Sequence, residues 1–77
     1  MRTVPRLSPL DARILRACDP DRVRPPARIG ELAGCAPDVA RSRLVALRVS
    51  YLVEDDGERP QRFIRMPRGD VALEHAP

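Results

Sequence analysis

Apolar positions recur along this chain in three helical stretches, then a short extended one, then a last helical one. Leu7, Leu10, Ile14, Leu15 and Cys18 follow one another at helical spacing. Ser8-Pro9-Leu10-Asp11 opens that helix with a capping serine, a proline at the first helical position and a carboxylate where the helix dipole favours one. Asp19-Pro20 closes it, because a residue before proline avoids helical backbone. A proline-bearing loop follows, with Val23 expected in a short extended piece. A second, short helix is expected over Pro26–Ala33, with Ile29, Leu32 and Ala33 as its apolar positions and Gly34 as its stop.

Pro37 opens a third helix. Ala40, Leu44, Leu47 and Tyr51 fall within about 60° of one another on it and are read as its buried face. Asp38, Arg41, Ser42, Val45, Arg48 and Val49 form the other face, and Arg43 is expected to one side, near Val39, paired with a carboxylate. From Tyr51 the period shortens. Tyr51-Leu52-Val53 is β-prone, Asp56-Gly57 is a tight-turn dipeptide, and residues 62–66 can form the returning strand. Pro60 interrupts the approach to that strand and predicts an irregular tip. Pro67-Arg68-Gly69-Asp70 then opens a short last helix through Val71, Ala72, Leu73 and Glu74.

The 77 residues allow one domain. Only Tyr51 and Phe63 are aromatic, so the core must be aliphatic. No apolar run approaches the about 18 residues of a membrane span. Residues 1–7 carry Arg2 and Arg6 without a signal-peptide core, and are read as a flexible arm of a cytoplasmic protein. Cys18 and Cys35 could form one disulfide, but without a secretion signal two small buried thiols are the favoured reading. His75 is the only histidine and no Cys-x-x-Cys pair exists, so no metal or other cofactor is expected. Nor is an enzyme. Ser8 and Ser42 read as cap and surface residues, and the carboxylates gather on a hairpin tip rather than across a pocket.

The net charge is +3, and all 14 basic residues are arginine. The planar arginine fork suits phosphates and guanine edges, which favours an anionic partner. A GC-rich coding sequence would also produce the arginine bias.

Gly30 and Gly34 lie four residues apart between Ile29, Ala33, Cys35, Ala40 and Leu44. A small residue is needed at the first position for close approach, and a residue tolerant of positive φ at the second. With Asp11-Ala12-Arg13-Ile14-Leu15 before, Leu44 to Val53 after, and Pro67-Arg68-Gly69 beyond the hairpin, this order resembles winged helix-turn-helix domains of the MarR, ArsR and phage-repressor type. The resemblance covers about residues 7 to 75 and departs from the pattern at three places. Tyr51 stands where glycine usually precedes the wing, Ala36 where a capping Ser or Thr is common, and Arg65 at a strand position that is often apolar.

The fold expected is therefore α+β, mostly α: a three-helix core plus a β-hairpin wing and a short C-terminal helix, spanning residues 8–75 behind the arm at 1–7. The resemblance implies sequence-specific binding of double-stranded DNA by a small transcriptional regulator, a repressor, with a recognition helix at about 37–50 in the major groove. On that reading Asp38, Arg41, Ser42 and Val45 probe bases, with Arg41 as the fork to guanine. Arg28 and Arg48 clamp phosphates, the wing offers Arg59 and Arg62, and the arm offers Arg2 and Arg6 to a minor groove. Glu54, Asp55, Asp56 and Glu58 at the wing tip would repel a phosphate backbone. With the outward Val39, Val45 and Val49 they support the alternative, a protein–protein interaction module without DNA binding, its partner meeting the wing. The family's usual homodimer would need its contact from the first helix, the last helix or both termini, and the oligomeric state stays open.

Overall fold

The structure, a computed structural model, describes residues 6–76. Arg2 of the expected arm lies outside them; Arg6 lies within them and is exposed, whereas Leu7, expected at the end of the arm, is buried in the core. The elements run α1 (Pro9–Ala17), α2 (Pro26–Ala33), α3 (Pro37–Val49), β1 (Val53–Asp55), β2 (Phe63–Arg65) and α4 (Pro67–Glu74). This is a small α+β fold, mostly helical, with one antiparallel hairpin. No helix among the described residues is long and apolar enough to cross a membrane.

Each of the four helices starts on a proline. The fixed proline φ suits the first helical residue, and the missing N–H is one that would have no helical partner there. Only α1 also has a side-chain cap: Ser8 Oγ accepts from Asp11 N at 3.0 Å. Pro25, Ala36 and Met66 precede the other helices without one.

Helix ends leave carbonyls without helical partners. Here arginines from other parts of the chain supply donors to them. Arg24 Nη1 and Arg65 Nη1 donate to the Ala17 and Leu15 carbonyls of α1, at 2.7 and 3.1 Å. Arg13 Nε donates to Ala33 O at the end of α2 (3.1 Å), and Arg68 Nε to Ser50 O at the end of α3 (3.0 Å). Each also brings a cation to the negative end of a helix dipole. Arg65, unexpected in a strand, is held at its other side by Asp70. Its Nε lies 2.7 Å from Asp70 Oδ1, a charge contact in which the N–H does not point along the line of approach.

The core gathers Ile14, Leu15 and Cys18 of the first helical stretch, Ile29 of α2, Leu44 of α3, and Leu52, Val53 and Phe63 of the hairpin, all fully buried. The strands pair Val53 with Arg65, Glu54 with Ile64 and Asp55 with Phe63. The extended piece expected around Val23 is present one residue on. Arg24 and Phe63 exchange both backbone bonds, at 2.9 and 2.8 Å, and so tie the α1–α2 loop to the hairpin.

The glycine expectations hold with one refinement. Gly34 takes φ 80° at the end of α2. A Cβ on Gly30 would stand 2.7 Å from the Cys35 carbonyl, so the close neighbour is the turn itself rather than the facing helix. Gly69 lets α4 lie against the Leu52 carbonyl, where a Cβ would collide.

Three expectations are corrected. Leu32 is not a core residue: it is 46% exposed, because α2 is only two turns long and Ile29, Gly30 and Ala33 take its inner face. Tyr51 is not on the buried face of α3. The helix ends at Val49, Tyr51 turns the chain with φ 62°, and its ring is 67% exposed. The Asp56-Gly57 pair does not make a two-residue turn. Residues 56–62 join the strands, with Asp56 Oδ1 accepting from the backbone of Glu58 and Arg62.

Candidate nucleic-acid interface

α3 presents two faces. Ala40, Leu44 and Leu47 are buried, whereas Asp38, Arg41, Ser42, Val45, Arg48 and Val49 are all exposed. The inner residues are fixed by Asp11, which lies buried on α1 and takes both arms of the Arg43 guanidinium: Nε to Oδ1 at 2.8 Å and Nη2 to Oδ2 at 2.9 Å. Those hydrogen bonds, and then the carboxylate charge, raise the Arg43 pKa above its ordinary value. Arg43 thus locks α3 to α1 and leaves the outer face to its neighbours.

The first turns of α2 and α3 meet the hairpin loop around a cleft of about 380 Å³ lined by Pro26, Pro37, Asp38, Arg41, Arg59, Pro60 and Gln61. Arg41 and Arg59 are exposed and make no ion pair or side-chain hydrogen bond among the described residues. Pro26 and Pro37 are the first residues of their helices, and neither helix has a side-chain cap. In α3 the backbone bonding starts with Ala40 N to Ala36 O at 3.0 Å, so earlier N–H groups are left for other acceptors. Two free guanidiniums outnumber the single carboxylate, Asp38, around the cleft, and with the two uncapped helix starts they suit an anionic group.

Arg28 is exposed on the first turn of α2, with Glu31 at 3.5 Å. So open an exposed pair holds its arginine weakly. Arg48 and Arg62 are different. Arg48 Nε lies 2.9 Å from Glu54 Oε1 and 3.3 Å from Asp55 Oδ1. The Glu54 hydrogen bond and the two carboxylate charges raise its pKa. Arg62 Nε donates to Asp56 Oδ2 at 2.6 Å. Partial desolvation pushes the Asp56 carboxyl up, but the Glu58 and Arg62 N–H groups and the Arg62 charge outweigh it and hold the carboxyl below its ordinary range.

The expected repulsion from the hairpin tip changes accordingly. Glu54, Asp55 and Asp56 are paired with Arg48 and Arg62, three carboxylates against two guanidiniums, so most but not all of their charge is offset, and Gln61 Nε2 donates to Asp55 Oδ2 at 2.8 Å. Glu58 is the tip carboxylate without an ion pair among the described residues. The two arginines are spent in the same contacts, so they shape the hairpin instead of standing free beside it. Sequence reasoning missed these pairings because six-residue and longer separations across a turn carry no periodic signal. The opposite charges of Arg48 and Glu54-Asp55 on either side of a predicted helix end were the one available hint.

Cys18 is buried and Cys35 half-buried, and both are free thiols. Burial pushes the Cys18 thiol up to about 12, against the smaller opposing pull of Arg65 and Arg24. No known protein family, curated protein or solved structure matches this chain.

Proposed function

We propose that this protein is a winged helix-turn-helix domain that binds duplex DNA through the N-terminal half of α3 and acts as a transcriptional regulator. The element order supports the fold reading, as does the Arg24–Phe63 bridge, which adds a third extended segment beside the hairpin. The observation that carries the functional reading is the cleft in which Arg41 of α3 and Arg59 of the hairpin loop stand free beside the first residues of α2 and α3. A backbone phosphate seated there meets two guanidiniums and the early helix N–H groups. Arg41 then reaches the adjoining base edge, where its fork fits guanine O6 and N7. Asp38, Ser42 and Val45 share its exposed face, and Arg28 adds a phosphate contact. Arg48 and Arg62 hold the hairpin in place rather than touching DNA.

The test is anisotropy of labelled duplex from the protein's own promoter region across a salt series. Arg59→Ala should flatten the slope of log affinity against log salt by up to about 0.9, the share of the one phosphate it holds together with Arg41, and Arg41→Ala by no more than that. Arg41→Ala should also lose about 1–3 kcal/mol of site preference. Arg48→Ala should leave the slope nearly unchanged. Absence of salt-dependent binding by the wild type sinks the proposal. Val45, Val49 and Tyr51, respectively 48%, 75% and 67% exposed, then favour the second reading, a protein-interaction module.

A further inference from the structure

The last turns of α1 and α2 and the loop between the two helices border a second, open cleft of about 360 Å³, lined by Arg13, Arg16, Ala17, Arg24 and Leu32. It shares no lining residue with the cleft beside α3. Three guanidiniums line it and, among the described residues, no carboxylate does. Two of them are anchored from behind: Arg13 Nε by the Ala33 carbonyl, and Arg24 by the Ala17 carbonyl through Nη1 and by Asp19 at 3.3 Å from Nη2. Arg16 is exposed and makes no ion pair among the described residues. Leu32, 46% exposed, stands beside these cations.

An arginine held through one or two N–H groups has already lost much of the side-chain freedom that binding would remove. Its remaining N–H groups still offer charge-assisted bonds to a carboxylate. The large apolar side chain in the same cleft asks for an apolar partner, which a sugar-phosphate backbone does not provide. We propose that this cleft docks an acidic segment of a partner protein, its carboxylates on Arg13, Arg16 and Arg24 and one large apolar side chain against Leu32. The surface is independent of the DNA reading, since none of its residues contributes to that site.

The experiment uses the isotope-labelled full chain, titrated with a short synthetic peptide of aspartate and glutamate residues spaced by leucines. Amide shifts are compared with those from the same peptide carrying serine for leucine, and from a random-sequence duplex. The leucine peptide is expected to shift the amides of α1 and α2 around the cleft in a saturable way. Serine in the peptide, Leu32→Ser and Arg16→Ala should each weaken binding about tenfold. Both substituted residues are exposed and Arg16 makes no ion pair or side-chain hydrogen bond among the described residues, so the variants are expected to fold, which a dispersed spectrum checks. The proposal is overturned if the serine peptide binds equally well, if Leu32→Ser changes nothing, if these amides do not move, or if the duplex moves them more than the peptide does.

Discussion

Replacing Tyr51 with glycine is expected to stabilise the protein, although it deletes its only tyrosine. Tyr51 takes φ 62° where the chain leaves α3. Left-handed backbone costs a residue with a Cβ about 1–2 kcal/mol. Glycine removes that cost and returns about 0.5–1 kcal/mol of it through the greater entropy of the unfolded chain. The ring is 67% exposed, so little packing is lost. The balance is a gain of about 0.5–1 kcal/mol, or a rise in Tm of roughly 2–8 °C for a domain of this size. Thermal unfolding of wild type, Tyr51→Gly and Tyr51→Ala by far-ultraviolet circular dichroism reads this directly. Tyr51→Ala keeps the backbone strain and should gain nothing. If the glycine variant is no more stable than the alanine variant, backbone strain is not what Tyr51 contributes, and the argument fails.

Arg43→Met should destabilise by about 1–2 kcal/mol in urea melts, because it strands the Asp11 carboxylate, while the half-exposed arginine tempers the loss. A double-mutant cycle with Asp11→Asn should give a coupling energy of the same order, and a null coupling would remove the pair from the account. Gly30→Ala should lose about 1–3 kcal/mol, since the new Cβ meets the Cys35 backbone carbonyl at 2.7 Å and cannot be sidestepped by a side-chain rotation. Gly34→Ala meets open space and should lose only the left-handed cost of about 1–2 kcal/mol. Stability should also fall with alkaline pH. The folded Cys18 thiol is raised to about 12 from 9.0, so the unfolded chain deprotonates first. The contribution is therefore complete below about pH 9 and is lost as pH rises toward the folded value, with a slope approaching 1.4 kcal/mol per pH unit, roughly. Cys18→Ala should flatten that slope in urea melts taken from neutral pH upward. The chain contains no lysine to titrate in the same window.

The helix starts were legible because proline, serine and glycine act within a few residues of themselves. The order of elements and the burial of Ala40, Leu44 and Leu47 followed from that local punctuation and from period. Tyr51 escaped the periodic reading because helical spacing continues through the exact residue at which the backbone reverses hand. The free or occupied state of each arginine was not legible. Arg41 and Arg48 occupy comparable outer positions on one helix, yet only Arg48 comes within reach of Glu54 and Asp55 once the hairpin folds back. Which cations remain for a partner is settled by those long-range pairings, and composition counts all of them alike.

The arginines that close the helix ends have a kinetic consequence. A helix capped by its own neighbours can fray one turn at a time, and its terminal amides exchange with solvent quickly. Here the ends of α1, α2 and α3 are closed by side chains rooted elsewhere in the chain: Arg24 of the α1–α2 loop and Arg65, Arg13, and Arg68. Opening one of these ends requires breaking a contact between elements, so end fraying is coupled to separation of the helices. Amide exchange at those ends is therefore expected to slow toward that of global opening.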